Sequence, residues 1–150
     1  MLPVPYVETR TLQNDLEQLR IAEGFDFAAI ATPELFRPSA PIKWQFVSGN
    51  TNERYKLIIL KKGRGLAGNV MKTGKRMIIE DVSQEVPDKD RVRFPILLSE
   101  NLTSVIVIPL WFEGELWGVL LLGQRNGKAL PAHYQTIDIT GRLSVFSEEM

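Results

Sequence analysis

The sequence predicts an α+β domain built on a central antiparallel sheet. Three observations carry that reading. Two long apolar runs, TSVIVIPLWF (Thr103–Phe112) and LWGVLLLGQRN (Leu116–Asn126), are joined by Glu113-Gly114-Glu115, which reads as a hairpin. Near the start, Leu12, Leu16, Leu19 and Ala22 recur at helical spacing among charged residues. Between these regions lie only short elements punctuated by glycine and proline, without the βα repeat of a doubly wound parallel sheet.

Taken in order, Thr9–Glu23 is expected to be a helix stopped by Gly24. Phe25, Phe27 and the following AAIA form a strand that ends at Pro33 and Pro38. IKWQFVSGN (Ile42–Asn50) is a second strand, whose alternation places Trp44 and Phe46 on one face of the sheet. Tyr55–Lys61 reads as a short extended stretch leading into three glycines. Leu66–Thr73 is helical and closed by Gly74, MIIEDV (Met77–Val82) is a short strand, and Ser83–Asp90 is a polar loop. FPILLSEN (Phe94–Asn101) forms a short helix entered through Pro95, since proline is tolerated at a first helical position. After the hairpin, Pro131 opens a last helix with Ile139, Leu143 and Phe146 as its buried row. The first and last helices should then cover one sheet face. The segment from Asn50 to Asn101 should cover the other and enclose a pocket.

Bulk properties exclude several function classes. At 150 residues, with 44% apolar and 24% charged side chains, the chain is a globular domain able to bury a substantial core. Lysine plus arginine equals aspartate plus glutamate, 18 each, so there is no basic excess to favour nucleic acid or an anionic membrane surface. With no cysteine, disulfides, thiolate catalysis and cysteine-ligated metals are all removed. The opening MLPVPYVETRTLQ lacks a signal-peptide pattern, and no apolar run approaches the roughly 20 residues of a spanning helix. A soluble, cytoplasmic domain is the expectation.

The most informative stretch is KKGRGLAGNVMKTGK (Lys61–Lys75), with Gly63, Gly65 and Gly68 in the spacing G-x-G-x-x-G. It is open to three readings. A dinucleotide loop needs a parallel βαβ unit, and a Walker loop needs Lys and Ser/Thr where this chain continues with Asn69-Val70. A plain turn would use Gly63 and Gly65 for the bend and Gly68 for close helix packing. The third reading seats a small anion on the amides of Leu66, Ala67 and Gly68, because the first turn of a helix has free N–H groups at a positive dipole end. Apolar side chains there suit a singly charged, weakly hydrated anion better than phosphate.

Two further elements fit that third reading, each with an ordinary alternative. Trp44 is a donor-only indole that usually finds a partner when buried; it is either core or a pocket donor. Phe94-Pro95-Ile96 is either simple helix initiation or a second helix start, with Phe94 as an aromatic wall and the Ile96 amide turned to the ligand. Lys61, Lys62, Arg64, Lys72, Lys75 and Arg76 lend the region positive character, as a solvated face or as steering charge. His133 is the only histidine and no metal-ligand spacing surrounds it. Trp111 and Trp117 flank the hairpin as sheet packing or a partner surface. No nucleophile–base pair is evident, so a binding module is favoured over an enzyme.

Together the G-x-G-x-A-G-x-V-x-x-T-G-K segment, the aspartate of IIEDV and the hairpin SVIVIPLWFEGELWGVLLLG resemble a GAF domain, over about Phe25 to Ile139. The resemblance implies the GAF fold: a central antiparallel sheet, N- and C-terminal helices on one face, and a ligand pocket under loops and short helices on the other. It implies a single GAF domain over 1–150. WQFVSGNTNERYKLIILKKGRGLAG is similar to the stand-alone nitrate receptors of Gram-positive bacteria. That branch implies nitrate as ligand and no other cofactor, bound by Trp44, Leu66, Ala67, Phe94, Pro95 and Ile96, with Phe94 standing where a tyrosine is expected. It also implies a cytoplasmic sensor histidine kinase as partner, and nitrate respiration as the regulated process. A homodimer is a further expectation, through the terminal helices or the Trp111–Trp117 region. The alternatives are a GAF module for a cyclic nucleotide or other small organic ligand, a methionine sulfoxide reductase, which the absence of thiols disfavours, and a ligand-free dimerisation module.

Overall fold

In the computed structural model, which describes residues 9–37 and 39–149, helix α1 (Thr9–Glu23) is followed by β1 (Phe27–Pro33) and β2 (Ile42–Ser48). Helix α2 (Gly65–Thr73), β3 (Met77–Ile79), and the short helices α3 (Val82–Glu85) and α4 (Pro95–Ser99) come next. The hairpin β4 (Leu102–Phe112) and β5 (Glu115–Arg125) completes a five-stranded sheet of order β2-β1-β5-β4-β3. Every pairing is antiparallel, as the hairpin and the lack of a βα repeat predict.

Both sheet faces are buried, because successive side chains of the central strands alternate between two apolar clusters. Ala28 and Ile30 of β1, Ile106 and Ile108 of β4, and Leu120 and Leu122 of β5 face α1 and the C-terminal segment. Phe27, Ala29 and Ala31, Val105 and Val107, and Val119 and Leu121 face α2–α4. The expected division holds: residues between β2 and β4 cover the second face.

The structure changes four local expectations. Trp44 and Phe46 do not share a face. The β1–β2 register slips between Ile30 and Ala31, pairing Ile30 with Phe46 and Ala31 with Trp44 and leaving Gln45 as an extra residue. This β-bulge sends Phe46 to the α1 side and Trp44 to the α2–α4 side. Gln45 is held in place by bonds from its Nε2 to Thr32 Oγ1 and to Pro33 O (2.8 Å), while its Oε1 accepts from Leu35 N at 3.0 Å.

The expected C-terminal helix is absent. Gly141 (φ 72°) and Ser144 (φ 54°) adopt left-handed backbone that interrupts any helix, and only the turn Tyr134–Thr136 is regular. Ile139, Leu143 and Phe146 are nevertheless buried against α1's face, and Ser147 bridges Trp111 through N–H···O bonds of 2.7 and 3.0 Å. Periodicity found the buried row correctly, although the backbone is irregular.

Within the expected loop Ser83–Asp90, α3 forms one turn because Asp81 caps it: Asp81 Oδ1 accepts from Ser83 N at 3.0 Å, and Glu85 Oε2 accepts from Asp81 N at 2.8 Å. The aspartate of IIEDV thus has a structural task. Finally, the stretch Tyr55–Lys61 begins inside a 3₁₀ turn, Arg54–Leu57, and extends only towards Leu60, which bridges Ile42.

Candidate functional site

Helix α2 lies over β4 and β5, and α4 lies over β4, so both helices begin above the same sheet face. At α2 the chain enters through Gly65 at φ 71°, a conformation glycine adopts without penalty. Helical backbone therefore starts at Leu66, and the amides of Leu66 and Ala67 belong to the unpaired first turn. Arg64, in the N-cap position, offers no side-chain bond to them. Leu66 and Ala67 are buried (2% and 0% exposed). Gly68 cannot carry a side chain: a Cβ there would lie 2.1 Å from the Lys61 carbonyl oxygen. The loop closes back on the helix through a 2.7 Å bond from Gly63 N to Gly68 O. Turn geometry and close packing thus account for Gly63 and Gly68, while the first-turn amides remain free of both tasks.

Phe94 caps α4 without a side-chain bond and Pro95 follows as its first residue. Pro95 is exposed and, having no N–H, donates nothing; its preset φ makes the Ile96 amide the first available donor. Ile96 is buried (3% exposed) and Phe94 is half-buried. A Cβ on Gly65 would stand 3.2 Å from the carbonyl oxygen of Arg93, so the entries of α2 and α4 approach closely.

The bulged Trp44 completes the group. Its side chain is buried (2% exposed) in the same apolar cluster as Leu66, Ala67 and Ile96, with Phe94 packed against that cluster's edge. Its indole Nε1–H is fully buried and has no protein acceptor. Five of the six residues singled out in the sequence thus belong to or pack against this one apolar cluster, and Pro95 is exposed. An orphaned donor is not diagnostic alone, since Trp117 Nε1 is orphaned too. Trp117, though, is buried among core side chains on the α1 face, opposite α2 and α4, and is not the partner surface considered above.

The arrangement offers N–H donors from two helix entries and one indole inside apolar walls. Donors without charge can hold a monovalent anion whose negative charge is spread over several acceptor atoms. A dianion would carry a larger desolvation cost among such uncharged donors. Among the described residues no His, Cys, Asp and Glu group has the makings of a metal site, and no helix is long and apolar enough to cross a membrane.

Sequence reasoning missed what holds this layer in place. Glu100, at the end of α4 and fully buried, accepts from Arg125 Nη2 at 2.5 Å and from Thr51 N and Oγ1 at 2.9 and 3.0 Å. Arg125 also donates to the carbonyls of Glu100 (2.7 Å) and Gly49 (3.0 Å) and stacks over Phe27. Asn52 and Arg54 both bond Ser99 O. The pair, 25 residues apart in sequence, had no local signal. A charged residue at each end of an apolar run was the only hint.

Comparison with known proteins places the fold in a family. The family model for the GAF domain matches residues 9–138. Two structures of NreA from Staphylococcus aureus, mutated in its nitrate-binding site, are similar to this chain. One is 56% identical with a TM-score of 0.78, covering 83% of this chain and 92% of the other. The second is 55% identical with a TM-score of 0.81, covering 87% and 94%. The free methionine-R-sulfoxide reductase of Neisseria meningitidis shares the fold at 21% identity, with a TM-score of 0.58 over 88% of this chain and 67% of that one. No curated protein matches. With two free helix entries over one face of a five-stranded antiparallel sheet, and a family match over nearly all of its described length, the chain belongs to the GAF domain family.

Proposed function

We propose that this chain is a nitrate-binding regulatory protein, not an enzyme, and that residues 1–150 form one GAF domain. The observation that carries the reading is the buried, partnerless Nε1–H of Trp44 in one cluster with the starts of α2 and α4. The 55–56% identity to NreA, a protein with a nitrate-binding site, supports it. In this reading, nitrate lies among Trp44 Nε1 and the amides of Leu66, Ala67 and Ile96, with Phe94 as wall and Pro95 setting the α4 entry. Nitrate has three acceptor oxygens and one delocalised charge, which suits several uncharged N–H donors.

Binding would fasten α2 and α4 together, and through α4 the Glu100–Arg125 network that ties down residues 49–54. A partner preferring one of the two states would sense that change, because a ligand shifts an equilibrium only by its differential affinity. The partner fitting this role is the cytoplasmic sensor histidine kinase of a two-component system controlling nitrate respiration. The nitrate-free form engages the kinase and nitrate weakens that contact; a homodimer is the other assembly the exposed surface would serve. Co-purification and autophosphorylation assays with and without nitrate test the partner step. Kinase contact and activity indifferent to nitrate would contradict it.

Titration of a ligand panel with heat detection tests the ligand itself. Nitrate is expected to bind while sulfate does not. Binding of cyclic nucleotides instead would move the chain to the organic-ligand branch of the family.

A further inference from the structure

Two open clefts flank Phe94, and they differ in charge. The first, about 580 Å³, is lined by Gly63, Arg64, Gly65, Asn69, Arg93 and Phe94. The second, about 320 Å³, shares Arg93 and Phe94 but adds the carboxylates of Glu85 and Asp90. Most arginines of the fold are engaged: Arg20, Arg76, Arg91, Arg125 and Arg142 in ion pairs, Arg54 with the Ser99 carbonyl. Arg64 and Arg93 make no side-chain bond or ion pair within the described residues, and both are exposed into the first cleft. Phe94 is the one large apolar side chain in that cleft's lining, and it packs against the apolar cluster holding Trp44, Leu66, Ala67 and Ile96. Phe94 thus borders both a carboxylate-free, doubly cationic vestibule and the cluster that holds the donors.

We infer that Arg64 and Arg93 form the entry port for the anion, and that Phe94 is the wall between port and site. This rests on the nitrate-binding reading and adds to it a route and a kinetic role for two residues that do not touch the bound ion. A cleft lined by one sign of charge concentrates counter-ions and raises their association rate. The neighbouring cleft, with Glu85 and Asp90, repels the same ion. The arrangement divides the work: uncharged donors inside set which anion is held, and the guanidinium pair outside sets how quickly it arrives.

The test is stopped-flow mixing of the full chain with sodium nitrate, read by tryptophan emission, with calorimetric affinities measured in parallel. Arg64→Gln/Arg93→Gln is expected to slow association roughly three- to tenfold at low ionic strength. The gap should narrow as sodium gluconate is added, because screening is effective beyond about 10 Å at 0.1 M. Arg64→Lys/Arg93→Lys should restore most of the rate, since charge rather than fork geometry is what matters. Asp90→Asn, which changes net charge by one where the double Gln variant changes it by two, should leave the rate within about twofold, because its charge acts on the other cleft. A wild-type association rate and salt dependence in the double Gln variant would overturn the inference, as would a shift in Asp90→Asn as large as that in the arginine variants. If the unmodified chain gives no heat with nitrate, it is the ligand assignment that fails, so the two failures are told apart.

Discussion

Trp44 is the residue on which the binding account turns, and its environment makes a quantitative demand. A hydrogen bond to a charged acceptor contributes about 1.5–3 kcal/mol, so Trp44→Phe, which keeps a ring and removes the donor, should weaken nitrate binding about ten- to a hundredfold or more. The nitrate-free variant should lose only ring packing, about 1–2 kcal/mol by denaturant unfolding. Equal nitrate affinity in Trp44→Phe would mean that the indole does not face the ion. Trp44 as a candidate was legible from its residue type, since an indole is donor-only. Its facing was not, because simple alternation put it beside Phe46. The extra residue Gln45 reverses that relation, and nothing in IKWQFVS signals a bulge until Thr32, Pro33 and Leu35 are brought alongside to bond Gln45.

At the scale of elements, the entry of α2 is held by backbone contacts. Gly68→Ala would place a methyl 2.1 Å from the Lys61 carbonyl. Overpacking of this kind costs about 1–3 kcal/mol, and it should also lower nitrate affinity by shifting the Leu66 and Ala67 amides. Retained stability and affinity in that variant, by unfolding and calorimetry, would show that the loop yields freely. The glycine spacing announced this close approach, which is why the position of α2 was readable from sequence. The C-terminal segment was not readable in the same way. Ile139, Leu143 and Phe146 have helical spacing and are all buried, yet left-handed backbone at Gly141 and Ser144 lets an irregular chain bury the same three side chains. Side-chain spacing fixes which residues face inward and leaves the path between them open.

Across the whole molecule, two kinds of polar anchor fasten the layers. The buried Glu100–Arg125 pair joins α4, β5 and the loop after β2. Arg125→Met strands a buried carboxylate, and breaking such a pair by removing one partner costs about 3–5 kcal/mol; a change below 1 kcal/mol in urea unfolding would contradict that role. At the surface, burial opposes ionisation of Glu23 and Asp26, but bonds from Arg142 and His133 to Glu23, and from Lys128 and the Arg125 amide to Asp26, outweigh it. Both carboxyls are held below their ordinary values of 4.5 and 3.8. A carboxyl lowered in the folded state adds stability that is complete above its unfolded value and is lost as pH falls through the folded one. Stability should therefore be level near neutrality with respect to these groups and decline in acid below those ordinary values, less steeply in Asp26→Asn. An identical acid limb in that variant would rule Asp26 out as a contributor. These long-range pairs were invisible in sequence, whereas the layer order they secure was predicted from periodicity and the hairpin. The most direct measurement of the central claim is thermal unfolding at fixed ionic strength with nitrate titrated against sulfate, in the unmodified chain and in Trp44→Phe. The account predicts nitrate-selective stabilisation of about 2.7 kcal/mol at one hundred times Kd, strongly reduced in the variant. Equal stabilisation by sulfate, or a nitrate effect unchanged in Trp44→Phe, would contradict it.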